Sequence, residues 1–227
     1  MIFVQYLFCF VCSVLALAVV ILVVLKISKR FRQFFFAHIF RLLVEPFFGE
    51  VFTNTRKTVM QELDGLKSHD AQLKKVDSIR VLEVGIGTGA NFSCIKREIH
   101  LIAVDPNVSF ETSLMKCLAK FPNIHLERLV ASVGEDMHEI AKRVLVPGGK
   151  LLFMEHVAYS EGSWIFFVQG LLDPLWELLT CGCHLNRSSG ELIKSAGFAQ
   201  TQITVVDLPI VPVLKRHVFG FAVKGER

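Results

Sequence analysis

Three glycines at period two, Gly85, Gly87 and Gly89 in VLEVGIGTGAN, follow a short β-rich run that carries Glu83. Glycine permits a sharp turn and lets a ligand approach the backbone closely. A strand that stops at such a turn, with a helix beginning behind it, can cradle a nucleotide-like group against free amides. The stretch satisfies two patterns at once. Gly85-x-Gly87-x-x-Ala90 fits a dinucleotide fingerprint, whereas Gly85-x-Gly87-x-Gly89 preceded by Glu83 fits S-adenosylmethionine binding. Asp105 ends the run HLIAVD twenty positions after Gly85 and suits both, because a carboxylate there accepts from both ribose hydroxyls.

Residues further on separate the two. Ile124 to Val130 (IHLERLV) reads as a third strand, and GEDM follows it. An acidic residue beside an apolar one suits an adenine: Glu135 or Asp136 accepts from the exocyclic amine and Met137 covers the ring. LVPGGKLLFMEHV then gives a Pro-Gly-Gly turn into another buried strand, Lys150 to Glu155, with His156 at its carboxyl edge, where ligands of open α/β sheets bind.

The order VLEVGIGTGANF, AVDPN, GEDMH, LVPGG and FMEHV resembles the Rossmann-like class I S-adenosylmethionine-dependent methyltransferases. More narrowly it resembles the membrane-anchored methyltransferase-like seven family of alkyl thiol S-methyltransferases, through TGANF, GEDMH, MEHV and DPLW. The resemblance covers the anchor arrangement and nearly everything from residue 79 to 224. It implies an α/β fold, S-adenosyl-L-methionine as cofactor and a small aliphatic thiol as methyl acceptor. Gly85, Gly87 and Gly89 would lie against the methionine part, and Glu83 would help hold its amino group. Asp105 would take the ribose, and Glu135, Asp136 and Met137 the adenine. It also implies residence at the endoplasmic reticulum membrane and lipid droplets. Methyl transfer to sulfur needs mainly alignment of the reacting atoms. A thiol of pKa ~8.5 is already partly ionised near neutrality, so a strong base is not obligatory. His156 is the candidate base; its other reading is a hydrogen-bonded structural histidine.

These residues need elements to position them, and composition says which. Of the 227 residues, 52% are hydrophobic, and the excess is concentrated at the start. Met1 to Leu25 contain no charged side chain, and a helix of about 1.5 Å per residue would let that stretch cross a hydrocarbon core of roughly 30 Å. The basic residues Lys26, Lys29, Arg30 and Arg32 follow the apolar run instead of preceding it, with no small-residue cleavage site between, which argues for a retained anchor over a signal peptide. The positive-inside rule then places the remainder in the cytoplasm. Residues 26–70 form a basic and aromatic segment in which FRQFFFAHIFRLLVEPFF is either an interfacial helix or a helix packed on the domain. Residues 71–227 form the methyltransferase-like domain, with an aromatic insert at Val157 to Arg187 containing Trp164, Phe166, Phe167 and Trp176, and a closing antiparallel hairpin in QITVVDL and HVFGFAVKG. The net charge of +4 owes much to the juxtamembrane cluster and favours an anionic membrane surface over nucleic acid. Cys181 and Cys183 are too close for an ordinary disulfide and lack partners for a zinc site, so no metal is expected. The chain carries no signal for a protein partner.

One spacing departs from the family. Between Met137 and Pro147 there are only nine residues, where the resembling family continues through a central strand and a helix. Family sheets run in the order 3-2-1-4-5-7-6, so the absent unit lies beside the first strand. A central strand buried on both faces supports its neighbours through ladder bonds and packing. Three outcomes follow: Lys150–Glu155 pairs directly with Ile79–Val84 in a sheet shortened by one strand, the chain folds poorly, or it keeps its membrane address without catalysis. Two function classes therefore stand, a membrane-bound S-methyltransferase and a noncatalytic membrane or lipid-droplet protein on the same scaffold; a nicotinamide oxidoreductase is a distant third.

Overall fold

IHLIAV is apolar but for His100, and in the structure, a computed structural model that describes residues 2–132 and 143–226, every second residue of it is wholly buried. This strand, β2 (Ile99–Val104), has Ile99, Leu101 and Ala103 with no solvent exposure. It lies between β1 (Ile79–Val84) and β3 (Ile124–Val130) in a parallel three-stranded sheet of order β1-β2-β3. Parallel strands need both faces covered. Ile86, Phe92, Ile95 and Leu114 cover β2 together with Leu63 from the segment before the sheet. Leu114 comes from a helix (Glu111–Leu118) between β2 and β3.

A second sheet is antiparallel, with order β4-β6-β5, built from β4 (Lys150–His156), β5 (Gln200–Asp207) and β6 (Arg216–Val223). The closing hairpin and the strand after Pro-Gly-Gly are thus where the sequence puts them. Direct pairing of Lys150–Glu155 with Ile79–Val84 does not occur: β4 bonds to β6, and β1 bonds to β2. Among the described residues, β1 and β4 are each the last strand of their sheet on the facing side. The consequence is visible at Leu82, which is 38% exposed in the middle of β1. The described strands thus form two separate sheets, with β1 and β4 at an edge of each.

Residues ahead of the sheet tie these halves together. A helix at Thr53–Met60 packs on β4 and β6, and its continuation at Gln61–Leu63 reaches the β2 core. Glu62 forms a 2.6 Å ion pair with Lys150 of β4, and Phe52 meets the His217 ring of β6 at 5.4 Å. On the other side, Arg97 donates to the carbonyls of Leu63, Leu66 and Asp77 at 2.7, 2.7 and 2.8 Å. Leu152 of β4 completes the link by packing against the β2 core.

The N-terminal helix α1 (Ile2–Ile27) is about 39 Å long at 1.5 Å per residue, and no part of its most apolar stretch is covered by the rest of the chain. Cys9-Phe10-Val11-Cys12 has C-x-x-C spacing, yet both thiols are free and exposed on this helix. Helix α2 (Lys29–Ile39) starts at a Ser28 cap and turns Gln33 and Ala37 into the protein while Phe34 and Ile39 stay exposed. The reading of this aromatic segment as a helix packed on the domain is met on its inner face, and its outer face is left uncovered.

Leu101→Ala is expected to cost about 2–5 kcal/mol in urea denaturation, as a truncation with no exposed surface to relax into. Leu82→Ala should cost under about 1 kcal/mol, because its site is already open to water. Equal costs would mean that β1 is covered in solution.

Candidate functional site

The carboxyl ends of β1 and β2 lie side by side. Gly85 and Ile86 donate backbone N–H groups to the Val104 carbonyl at 2.8 and 3.3 Å, so the glycine turn closes over the end of β2. Asp105 follows immediately. Its Oδ2 accepts from the Gly87 amide and its Oδ1 from the Asn107 amide, each at 2.8 Å. These two bonds fix the carboxylate and leave lone pairs on both oxygens free of those donors. Burial raises the Asp105 carboxyl above its ordinary range, and the two backbone donors pull it back.

The three glycines divide by role. Gly85 (φ +72°) and Gly87 (φ +53°) hold left-handed backbone, and a Cβ on either would meet nothing within 4 Å, so their open side is available to a ligand. Gly89 (φ +83°) is a packing requirement: a Cβ there would stand 2.7 Å from the buried Phe92 ring. The segment beyond does not form the expected helix. Only a single 3-10 turn, Phe92–Cys94, follows before the chain enters β2, because Phe92 folds back into the core and Ile95 is already extended. The amides that matter are those of the turn, not those of a helix terminus.

Glu83 lies beneath this turn and accepts from Asn91 Nδ2 at 2.8 Å. Burial pushes its carboxyl up to about 7, against the pull of Asn91 and Arg56. A cavity of about 170 Å³ opens beside the turn, walled by Ile86, Gly87, Asp105, Asn107, Leu129 and Ala131. Ligand pockets usually span roughly 300–1,000 Å³, so the described walls enclose part of a nucleoside-sized group. The fixed carboxylate, the two open glycines and the carboxyl beneath them are nonetheless the donor and acceptor set that a ribose and an amino-acid moiety require. Glu135, Asp136 and Met137 lie outside the described residues.

His156 ends β4 in the other half-sheet. Its Nε2 lies 2.8 Å from the His184 carbonyl, which can only accept, so Nε2 carries the proton and Nδ1 the lone pair. Burial lowers its pKa, which keeps the ring neutral. Asp173 supports this arrangement by holding His184 Nδ1 at 2.9 Å and accepting from the Leu185 amide at 2.6 Å. Glu155 next to it is raised by desolvation with Arg187 opposing, and burial pushes Cys181 up to about 11. Cys183 is raised for the same reason. These thiols stay protonated at neutral pH and are poor nucleophiles.

Several site residues escaped the sequence reading. Gln33 of α2 donates to the Pro106 carbonyl at 2.6 Å, and Asn107 Nδ2 donates to the Gln33 carbonyl at 2.9 Å. Thr88 donates to Glu45 at 3.2 Å. Helix α2 and the following turns therefore clamp both the Asp105 loop and the glycine turn. Asn91, in TGANF, was the one legible signal; Gln33 and Glu45 carry none, because their partners are 43 to 74 positions away.

No protein-family model matches the chain. The human thiol S-methyltransferase TMT1A is 36% identical over 173 residues, covering 64% of this chain and 71% of its own. The chain belongs to this thiol S-methyltransferase family. Human thiol S-methyltransferase TMT1B is 34% identical, covering the same shares of each chain. The 173 aligned positions outnumber the residues in 64% of this 227-residue chain, so the relative carries residues within the matched span that this family member lacks. Among solved structures, a Bacillus halodurans protein assigned as a methyltransferase superposes with a TM-score of 0.51 at 13% identity, over 75% of this chain and 99% of its own. That likeness is one of fold.

Glu83 generates an expectation about stability. A carboxyl raised in the folded state binds its proton more tightly than in the unfolded chain, so its contribution falls as pH rises from its ordinary 4.5 to about 7 and stays lost above. Glu83→Gln should therefore raise Tm at pH 8 by about 2 °C or more, with the gain vanishing near pH 4.5. A Tm difference independent of pH would remove Glu83 as the cause.

Proposed function

We propose that this chain is an S-adenosylmethionine-dependent methyltransferase acting on small alkyl thiols. The observation that carries the reading is the Gly87–Asp105 link, which aligns an open glycine turn with a fixed ribose-accepting carboxylate. Family membership supports the thiol, since the named relatives are thiol S-methyltransferases. When bound, S-adenosylmethionine supplies an electrophilic methyl group on a sulfonium. The chain's own residues then have limited tasks. Asp105 accepts from the ribose hydroxyls, Gly85 and Gly87 admit the methionine part, and Glu83 offers a carboxylate toward its amino group. Glu135, Asp136 and Met137 are assigned to the adenine on the sequence pattern. His156 offers a neutral Nδ1 lone pair that can take the acceptor's proton, and ionisation of the thiol itself does the same work as pH rises.

The same proposal has residues 1–25 as a retained membrane anchor, 26–70 as a basic interfacial segment and 71–227 as the methyltransferase domain. It places the protein at the endoplasmic reticulum membrane or lipid droplets, with the domain facing the cytoplasm. Support comes from an uncovered α1 followed by Lys26, Lys29 and Arg30, all exposed.

A second reading, a membrane protein that keeps the scaffold without turnover, is favoured by the separated half-sheets. The family's central strand ends beside the cofactor and acceptor, and here β1 and β4 have no ladder in common.

The decisive measurement is methylation of a small alkyl thiol by the purified full chain, beside calorimetry with S-adenosylmethionine. Asp105→Ala is expected to weaken cofactor binding at least about tenfold, since hydrogen bonds to a charged group are worth roughly 1.5–3 kcal/mol. Wild-type binding without turnover would select the second reading, and undiminished binding by Asp105→Ala would remove the site. His156→Ala is expected to lose rate most at pH 6 and least at pH 9, where the thiol ionises unaided. Rates equal to wild type from pH 6 to 9 would leave His156 a structural residue.

A further inference from the structure

The insert between β4 and the last hairpin is dominated by α7 (Trp164–Leu179), a 16-residue helix with two unlike faces. Its inner face is pinned by Gln169, which has no solvent exposure. Gln169 Oε1 accepts from the Tyr159 amide at 2.9 Å, and Nε2 donates to the Val213 carbonyl at 2.9 Å. The rotation of the helix is thereby set. The outer face carries Trp164, Phe167, Leu171 and Leu175, spaced three, four and four apart, with exposures of 70, 71, 69 and 43%. That spacing is one continuous apolar stripe. An open recess of about 600 Å³ runs along its first turns, lined by Trp164, Phe166, Phe167 and Leu171, at a distance in sequence and function from the glycine turn.

Trp164 and Phe167 belong to the aromatics that the sequence offers either as an acceptor pocket or as a membrane contact. The stripe faces outward, so it does not wall the Asp105 cavity, whose lining is drawn from other elements. What covers it is indicated by its neighbours. α7 packs against both α1 and α2. It therefore lies next to the apolar helix and to α2, whose Phe34 and Ile39 are exposed. Exposed Lys26, Lys29 and Arg30 sit at the junction of α1 and α2, complementary to anionic headgroups. Isolated apolar side chains on a surface need no partner, but a contiguous patch on this scale does.

We infer that α7 is a second membrane contact, a helix lying in the interface with Trp164, Phe167, Leu171 and Leu175 at the acyl boundary of the leaflet that α1 enters. The inference rests on the anchor reading of α1 and adds to it. A single anchor leaves the domain free to tumble about residue 28, whereas two contacts fix its orientation. An amphipathic helix of this kind buries its apolar face some 5–10 Å into the headgroup–acyl boundary, and tryptophan is favoured at that depth. Because α7 also supplies Asp173, which holds His184 beneath His156, the membrane-facing helix and the acceptor side of the site share one rigid element.

The chain has two tryptophans, Trp164 and Trp176, so the full-length Trp176→Phe variant reports on Trp164 alone. It is reconstituted with phosphatidylcholine–phosphatidylserine vesicles, with and without lipids brominated in the upper acyl chain, and recovered by flotation. The expected result is co-flotation and a fluorescence drop of about twofold or more with brominated lipid. Phe167→Glu with Leu171→Glu in the same background should lose the quenching while still floating through α1. Flotation without quenching overturns the assignment of α7 while the anchor stands, and leaves the stripe to a second copy of the chain. Unchanged quenching in the double variant also overturns it. Absence of flotation overturns both the anchor and this inference.

Discussion

Two half-sheets with no shared ladder must be held together by side chains, and residues 45–66 supply them. The helix at Thr53–Met60 lies against β4 and β6, while Met60, Leu63 and Leu66 enter the core over β2. The Glu62–Lys150 pair and the Phe52–His217 contact add polar and aromatic ties. In a continuous sheet, backbone hydrogen bonds between neighbouring strands would fix the distance between cofactor side and acceptor side. Here that distance depends on packing, which is less directional. Asp105 stands on one half and His156 on the other, so their separation is set by how firmly this helical segment braces the two sheets.

Helix α2, just ahead of that segment, connects the apolar helix to the glycine turn. Ser28 caps α2 directly after α1, and one turn later Gln33 exchanges hydrogen bonds with Pro106 and Asn107. Asn107 in turn donates its amide to Asp105, which holds the Gly87 amide. A short chain of hydrogen bonds therefore runs from the end of the apolar helix to the glycine turn. The Phe36 and Phe40 rings meet Phe110 edge-on at 5.9 and 5.7 Å and shield this chain from water. The end of the apolar helix and the glycine turn are thereby one mechanical unit, which gives the N-terminal segment a structural role.

Burial near the site acts on titration in a consistent direction. Carboxyls at Glu83, Asp105 and Glu155 are raised, as are the Cys181 and Cys183 thiols, while His156 is lowered. Each of these groups is shifted toward its neutral form, as desolvation requires, whereas Asp173 is held below its ordinary value because the His184 and Leu185 hydrogen bonds outweigh desolvation. The cysteines among them stay protonated at neutral pH.

Much was legible from local pattern. The strands Ile79–Val84 and Ile124–Val130 have the predicted bounds, because alternating or continuous apolar runs between glycine and proline turns encode strands directly. The glycine turn, Asp105 and the family were equally readable, since they depend on residues close in sequence. The shortened link after GEDM was also a matter of counting. The helix expected behind the glycine turn was not realised, because Phe92 gains more by filling the core than its segment gains by continuing a helix. What the sequence by itself determined, then, was the strands, the glycine turn with Asp105 beside it and the short spacing after GEDM. Only the tertiary structure decided that the sheet divides without closing up, that Gln33 and Glu45 clamp the cradle, and that α7 turns its aromatic stripe outward. Those outcomes rest on contacts between residues dozens of positions apart, whose pairing is selected by burial and hydrogen-bond satisfaction in three dimensions and leaves no periodic trace along the chain.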